Sequence, residues 1–121
     1  MKYACLIYST ESDPAANPEP GSEAWGPIME GYQRFGAEAE AAGVMITGEP
    51  LHPTSSATSV QVRNGETITT DGPFAETKEQ LGGFYLLECE NLDQALEWAA
   101  KIPHAASGTI EVRPVPDFSE L

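Results

Sequence analysis

The chain has 121 residues, the length of one domain with a single core, so we expect one domain over residues 1–121. Its 19 acidic and 6 basic residues give a net charge of −13, which repels phosphate backbones and anionic lipid and argues against nucleic-acid binding. No apolar run is long enough to cross a bilayer and no secretory leader pattern is visible, so we expect no membrane association and a cytoplasmic location.

The first part of the chain predicts a strand, a long loop, a helix and a second strand. Residues 2–8 have apolar side chains at both odd and even positions, as in a strand that is covered on both faces. Residues 9–21 contain three prolines and predict a surface loop, either a lid or a solvated connection. Helical spacing of apolar residues begins near residue 26 or 27 and ends at Gly43, and we expect its aromatic stripe to pack in the core. Residues 44–49 predict the second strand.

The middle of the chain predicts a β-hairpin followed by an apolar strand. Asn64-Gly65 joins the alternating segments 58–63 and 66–70, which is the strongest short signal for a hairpin. Residues 83–90 predict the next strand. Gly82-Gly83 lacks the spacing of phosphate-binding loops and indicates instead a close approach between two backbones.

The last part of the chain predicts a second helix and a final strand. Asn91 with Gln94 three residues later is typical of a helix N-terminus, and Pro103 ends the helix. Residues 109–113 alternate as a strand. The order β, α, β, hairpin, β, α, β predicts an α+β fold of the ferredoxin-like split β-α-β type, with the hairpin inserted. Helices on one face would leave the other face bare, so we expect a homodimer that forms a dimeric α+β barrel.

Two segments carry a resemblance to a known family. Residues 71–84, Asp-Gly-Pro-Phe-Ala-Glu-Thr-Lys-Glu-Gln-Leu-Gly-Gly-Phe, resemble the signature of the YCII-related family in its DGPF-type branch, and residues 110–115 are the second specific stretch. The resemblance covers residues 3–115 and implies the same dimeric barrel. Some proteins similar to this family are lyases that eliminate halide from a lactone with a His–Asp pair. DGPF-type relatives often neighbour, or are fused to, extracytoplasmic-function sigma factors, which implies an accessory or regulatory role.

Asp71 is the leading candidate for a catalytic residue. The turn Gly72-Pro73 would hold its carboxylate at the mouth of a small-molecule pocket. The alternative interpretation is a structural carboxylate that only accepts hydrogen bonds from the following backbone amides. His52 is the better acid/base partner, because the hairpin that follows it ends at Asp71, whereas His104 lies after the second helix. Residues 3–44 contain no histidine, so a dehydrochlorinase-like pair would need one of these two.

Three further side chains are candidates for substrate binding. Phe74 would form an apolar wall beside Asp71. Lys78 either binds an anionic group of the substrate or forms exposed ion pairs with its flanking acids. Arg113 on the last strand would bind a substrate carboxylate or, as the leading interpretation, form a structural ion pair. The expected partners in that pair are Asp71, Glu76 or Glu79.

The two cysteines and two histidines point away from metal chemistry. Cys5 and Cys89 lie in apolar runs, which predicts buried free thiols. Neither belongs to a Cys-x-x-Cys motif, and two distant histidines do not make a zinc site, so we expect no metal and no cofactor. The expected function is a homodimeric barrel with a small-molecule pocket near Asp71. The lyase with an Asp–His pair and the sigma-factor partner remain open alternatives.

Overall fold

The computed structural model describes residues 1–120. Within them the chain forms six strands and two helices. The strands are β1 (Lys2–Ser9), β2 (Met45–Pro50), β3 (Thr58–Arg63), β4 (Glu66–Asp71), β5 (Gln80–Glu88) and β6 (Thr109–Pro114), and the helices are α1 (Trp25–Ala41) and α2 (Leu92–Ala99). Neither helix is long and apolar enough to cross a membrane.

Four strands form one antiparallel sheet in the order β2–β5–β1–β6, while β3 and β4 pair only with each other. The sheet order and the two helices confirm the predicted ferredoxin-like α+β fold with an inserted hairpin. Asn64 and Gly65 make the hairpin turn with φ of 53° and 78°, as their sequence predicts. Strand β5 begins three residues before the predicted position. Gly82 forms a β-bulge, because it is the extra residue of β5 between the partners of Ile7 and Tyr8.

Both helices begin and end close to their sequence signals. Helix α1 begins at Trp25, which places Pro27 in the first turn, where a missing N–H costs no intrahelical hydrogen bond. Helix α2 is capped by Asn91, whose Oδ1 accepts a hydrogen bond from the Gln94 amide at 2.9 Å. The Gln94 side chain in turn accepts from the Glu90 amide at 2.7 Å, one residue before the usual partner in a capping box.

The core lies between the helices and one face of the sheet. Its buried side chains come from the sheet, from both helices and from the segments that flank them: Tyr3, Cys5, Ile7, Phe35, Ala39, Val44, Leu87, Cys89, Ala95, Ala99 and Ile102. Cys5 and Cys89 are buried free thiols, as predicted.

Among the described residues, the buried helix side chains pack with Tyr3, Cys5 and Ile7 of β1, which leaves the opposite face of the sheet without a helix over it. Ala4, Leu6 and Tyr8 alternate with the core residues of β1, and the register places Phe84 opposite Leu6 and Leu86 opposite Ala4. All five side chains are half-buried. We call this set of five residues the open face.

Candidate functional site

A cleft of about 640 Å³ lies between the β1–α1 loop (residues 10–24), the first turns of α1 and the edge where β2 pairs with β5. Its volume is within the range of small-molecule sites, about 300–1,000 Å³. Most of its wall is apolar, including Trp25, Ile28, Met29, Leu51 and Tyr85. A second, more open depression of about 350 Å³ lies near the N-terminus, where the Met1 ammonium pairs with Glu88 at 3.3 Å.

Two close approaches on the β2–β5 edge shape the floor of the cleft. The Tyr85 ring packs directly over Gly48, where any Cβ would overlap the ring. At Gly83 a Cβ would lie 2.9 Å from the Glu49 carbonyl oxygen, which confirms the predicted close approach of two backbones. On its other side the Tyr85 ring packs against Phe35, with 4.7 Å between ring centroids. The floor is therefore connected directly to the core.

The β1–α1 loop is held against the rest of the fold. The Asn17 amide donates to Ser9 Oγ at 3.1 Å and to the Thr10 carbonyl at 2.8 Å. The Glu11 carboxylate accepts from the Thr54 amide at 2.8 Å and from the Thr54 hydroxyl at 2.7 Å, which joins the loop to the segment after β2. Ala16 is only 2% exposed. The loop thus forms a wall of the cleft through residues 16–20, while residues 12–15 and 21–24 are exposed to solvent.

Tyr32 and His104 meet in the wall of the cleft. The Tyr32 hydroxyl lies 2.5 Å from His104 Nδ1, and His104 Nε2 lies 2.9 Å from the Ala16 carbonyl oxygen. A carbonyl oxygen can only accept, so Nε2 carries a hydrogen. In the neutral ring Nδ1 is then the acceptor of the Tyr32 hydroxyl hydrogen. His104 therefore joins α1, the β1–α1 loop and the turn after Pro103 through two hydrogen bonds.

Burial changes the acidity of the two phenols in the cleft. Burial raises the pKa of Tyr32 well above its usual value, and the nearby Tyr85 phenol raises it further. The hydrogen bond to His104 acts in the opposite direction but is the smaller effect. Burial also raises the pKa of Tyr85. Both side chains are therefore neutral phenols near neutral pH.

The charged side chains that line the cleft are all acidic. Glu11, Glu19 and Glu49 contribute to its wall, and no lysine or arginine within residues 1–120 does so. The cleft thus has hydrogen-bonding groups and an apolar wall, but among the described residues no lysine or arginine lines it to pair with a carboxylate or phosphate of a ligand. This arrangement is suited to neutral or positively charged molecules.

The side chains predicted from the 71–84 segment lie outside the cleft. Asp71 ends β4 and is exposed, and Phe74 is 87% exposed. The Gly72 amide donates to the Ala57 carbonyl at 2.7 Å, and no hydrogen bond within the described residues reaches the Asp71 carboxylate. His52 is exposed between Leu51 and Pro53, which do line the cleft. No hydrogen bond or ion pair between described residues joins His52 to Asp71, and their catalytic roles stay predictions.

The predicted partners of Arg113 are wrong. Its Nε lies 2.9 Å from Glu111 Oε1, an exposed ion pair between residues two apart on β6. Residues i and i+2 of a strand point to the same face, so a local carboxylate reaches Arg113 before Asp71, Glu76 or Glu79 can. Lys78 is exposed, and within residues 1–120 it forms none of the ion pairs expected with its flanking acids. Binding of substrate by Phe74, Lys78 or Arg113 stays a prediction.

Sequence patterns alone did not identify the Tyr32–His104 pair. Tyr32 belongs to the aromatic stripe of α1 that we assigned to the core, and it does pack against the core, but only Phe35 of that stripe is a fully buried aromatic. Trp25, Ile28 and Met29 line the cleft with Tyr32. Within residues 1–120, no group of three or more His, Cys, Asp or Glu side chains could hold a metal ion.

Comparison with known proteins gives two matches. The family model described as the YCII-related domain matches residues 1–119. An uncharacterized protein of Rhizobium meliloti (strain 1021) is 42% identical over 117 residues, which cover 95% of this chain and 92% of the relative. Both matches extend over the segments that form the cleft as well as over residues 71–84.

Proposed function

We propose that this chain, which belongs to the YCII-related domain family, binds a small and largely apolar molecule without negative charge in the cleft beside Tyr32 and His104. The observation that carries the proposal is the apolar cleft of about 640 Å³ with a hydrogen-bonded phenol and imidazole in its wall. A pocket with an apolar lining and a few convergent polar groups is the usual form of a small-molecule site.

The apolar wall supplies most of the affinity in this proposal. A ligand that buries about 150–200 Å² of apolar surface would gain roughly 4–5 kcal/mol, before the loss of its translational and rotational freedom. Taken alone, a gain of that size corresponds to a Kd of about 0.2–1 mM, so we expect weak binding. Tyr32 then selects for a ligand with a hydrogen-bond donor, because its own hydrogen points to His104 and its oxygen lone pairs are left to accept.

The acidic residues make the cleft selective by charge. At a distance of 4 Å, a negatively charged ligand would be repelled by a carboxylate such as Glu49 by roughly 1–4 kcal/mol, depending on the solvent exposure of the pair. Within residues 1–120, no lysine or arginine lines the cleft to offset that repulsion. Neutral molecules avoid this cost, and cations gain from it.

We also propose that two copies pair through the open face as a homodimer. The apolar side chains Leu6, Phe84 and Leu86 are half-buried there, while both helices pack on the other side of the sheet. Covering this face with a second sheet would remove apolar surface from water. This arrangement agrees with the dimeric α+β barrel that the family resemblance implies.

Two alternatives from the family resemblance stay predictions. A dehydrochlorinase-like lyase would need His52 and Asp71 to act together on a ligand bound outside the cleft. Association with an extracytoplasmic-function sigma factor would need a protein-binding surface. The net charge of −13 would suit a basic partner but serves solubility equally well.

Fluorescent dyes of different charge test the binding proposal. Nile red is neutral and apolar, and anilinonaphthalene sulfonate is a comparable anion. Each dye is excited directly and titrated into wild type, into Ile28→Trp, which fills the cleft, and into Leu92→Trp, which adds the same side chain at an exposed position of α2. We expect Nile red to brighten with wild type and Leu92→Trp but not with Ile28→Trp, and we expect the anion to bind weakly throughout.

The same titration separates the cleft from the Asp71 region. If Ile28→Trp binds Nile red as well as Leu92→Trp does, the cleft is not the binding site. Asp71→Asn should leave Nile red binding unchanged, because Asp71 does not line the cleft. If Asp71→Asn no longer binds Nile red while Ile28→Trp still does, the binding site lies at the end of β4.

A further inference from the structure

The Tyr32–His104 pair is arranged for proton transfer as well as for binding. Both side chains line the cleft. His104 Nε2 is occupied by its hydrogen bond to the Ala16 carbonyl, so the ring can take up a proton only at Nδ1. The Tyr32 hydroxyl lies 2.5 Å from that nitrogen. A ligand that forms a hydrogen bond to the Tyr32 hydroxyl would therefore have a continuous path to His104 for its proton.

We propose that Tyr32 and His104 form a proton relay that removes a proton from a neutral, weakly acidic ligand in the cleft, such as a phenol, an enol or a carbonyl compound with an acidic α-hydrogen. The inference rests on the proposed function, since it needs the ligand to occupy the cleft. The relay is distinct from the His–Asp pair that the family resemblance implies, because neither Asp71 nor His52 lines this cleft.

The step balances without a cofactor. The ligand's O–H or C–H bond breaks, and its proton forms a new bond to Tyr32 Oη as the original hydroxyl proton moves to His104 Nδ1. The ligand keeps the electron pair and becomes an anion, His104 becomes an imidazolium, and Tyr32 is a phenol before and after. Return of a proton by the reverse route to a different atom of the ligand completes a tautomerisation.

The surroundings favour this charge distribution. Burial keeps the pKa of Tyr32 high, so the relay passes through a neutral phenol and does not need a tyrosinate. The carboxylates of Glu11, Glu19 and Glu49 line the same cleft, and no lysine or arginine among the described residues does. The imidazolium formed is in turn the only cation near the ligand anion among the described residues of the wall. A ligand that is already an anion before it binds would instead face a neutral His104 ring, and the cleft carboxylates would repel it.

Para-nitrophenol reports its own loss of a proton directly, because its phenolate absorbs visible light and its neutral form does not. Para-nitroanisole has the same aromatic body but no acidic proton, so it reports occupancy alone. Both compounds are titrated into wild type, Tyr32→Phe and His104→Gln at a pH one unit below the pKa of free para-nitrophenol. The glutamine can still accept from Tyr32 and donate to Ala16, but it cannot hold an extra proton. Tyr3→Phe, in the core and outside the cleft, is the matched tyrosine control.

The expected result is a difference in ionisation without a difference in occupancy. Para-nitroanisole should bind all four proteins with similar affinity. The phenolate fraction of bound para-nitrophenol should be at least about threefold higher in wild type and Tyr3→Phe than in Tyr32→Phe and His104→Gln, equivalent to about half a pKa unit.

Other results contradict the relay in distinguishable ways. If both compounds bind all four proteins and the phenolate fraction is the same, the relay is wrong while the binding proposal stands. If His104→Gln ionises the phenol as wild type does, the hydrogen-bonded geometry matters but His104 does not take the proton, and the relay is again wrong. If neither compound binds wild type, the proposed function fails and the relay fails with it.

Discussion

The hydroxyl of Tyr32 lies 2.5 Å from Nδ1 of His104, although 72 residues separate the two along the chain. The contact exists because α1 presents Tyr32 toward the turn that follows Pro103, and the ring of His104 is held on its other side by the Ala16 carbonyl. Three segments that are distant in sequence thus meet at one imidazole. The contact also defines the chemistry of the cleft, since it leaves a single ring nitrogen to exchange protons.

The tautomer of His104 is the first prediction. Because Nε2 donates to Ala16, we expect the neutral ring to carry its hydrogen on Nε2, with Nδ1 as the acceptor. Long-range ¹⁵N–¹H correlation spectra at mildly alkaline pH distinguish the two tautomers. His52→Gln removes the only other histidine and assigns the signals. A ring protonated mainly on Nδ1 would contradict the geometry.

The contact between Gly48 and Tyr85 predicts a cost for any side chain at position 48. In Gly48→Ala the new Cβ overlaps the Tyr85 ring, which packs against Phe35 and cannot retreat into the core. We expect a loss of about 1–3 kcal/mol in the free energy of unfolding and weaker Nile red binding. The measurement is denaturant unfolding followed by circular dichroism.

Gly36→Ala is the matched control for that substitution. Gly36 lies inside α1, and a Cβ there would meet no atom within 4 Å apart from the backbone of its own helix and its chain neighbours. Alanine in a helix interior is favoured over glycine by about 0.5–1 kcal/mol, so this variant should be more stable than wild type. Equal destabilisation by both alanines would show that steric overlap at Tyr85 is not the cause.

The Cys5 thiol predicts a loss of stability at alkaline pH. Burial, with a smaller contribution from Cys89, raises its pKa from 9.0 to about 11. Above about pH 9 the unfolded chain loses the proton that the folded chain keeps, so the free energy of unfolding decreases until about pH 11. The expected contribution is on the order of 2–3 kcal/mol. Cys5→Ala should reduce the slope, while Cys89, Tyr32 and Tyr85, whose pKa values are also raised, supply the remainder.

Alkylation gives a second readout of the same burial. Iodoacetamide at mildly alkaline pH should modify neither Cys5 nor Cys89 in the folded protein, because both thiols are buried and burial raises the pKa of each. In denaturant both should react. Rapid labelling of either cysteine under native conditions, detected by mass spectrometry, would contradict their burial.

The homodimer is the fourth prediction. Light scattering at micromolar concentration should give a particle of twice the 13.0 kDa chain mass. Leu6→Lys places a charge in the middle of the open face and should produce a monomer, since an unpaired charge in an apolar interface costs several kcal/mol. Leu96→Lys adds the same charge on an exposed position of α2 and should leave the dimer intact. A wild-type particle of single-chain mass would rule out pairing through the open face.

Most of the fold follows from local patterns in the sequence. The Asn64-Gly65 turn adopts the left-handed φ values that the hairpin signal predicts, and Asn91 caps α2 through the amide of Gln94. These signals depend on residues two to four apart, and their geometry is the same in any fold that contains them. The ferredoxin-like order then follows, because few topologies connect these elements with short crossovers.

The site follows much less directly. The 71–84 segment concentrates charges and turn residues, yet Asp71 and Phe74 are exposed at the end of the hairpin and outside the cleft. Arg113 pairs with Glu111 on its own strand and not with a distant acid. For Arg113 the residue type suggested a long-range ion pair that a local carboxylate provides instead, while the roles of Asp71 and Phe74 stay predictions.

The amino-acid sequence by itself determined the strands and helices, the ferredoxin-like order, the buried thiols and the family. Only the tertiary structure decided that Tyr32 faces a cleft and that His104 contacts it while Ala16 holds the other ring nitrogen. The physical reason is the separation along the chain of the residues that interact. Periodicity, caps and turns act over a few residues and leave a pattern in the chain. A hydrogen bond between residues 72 apart depends on how every intervening element packs, and leaves none.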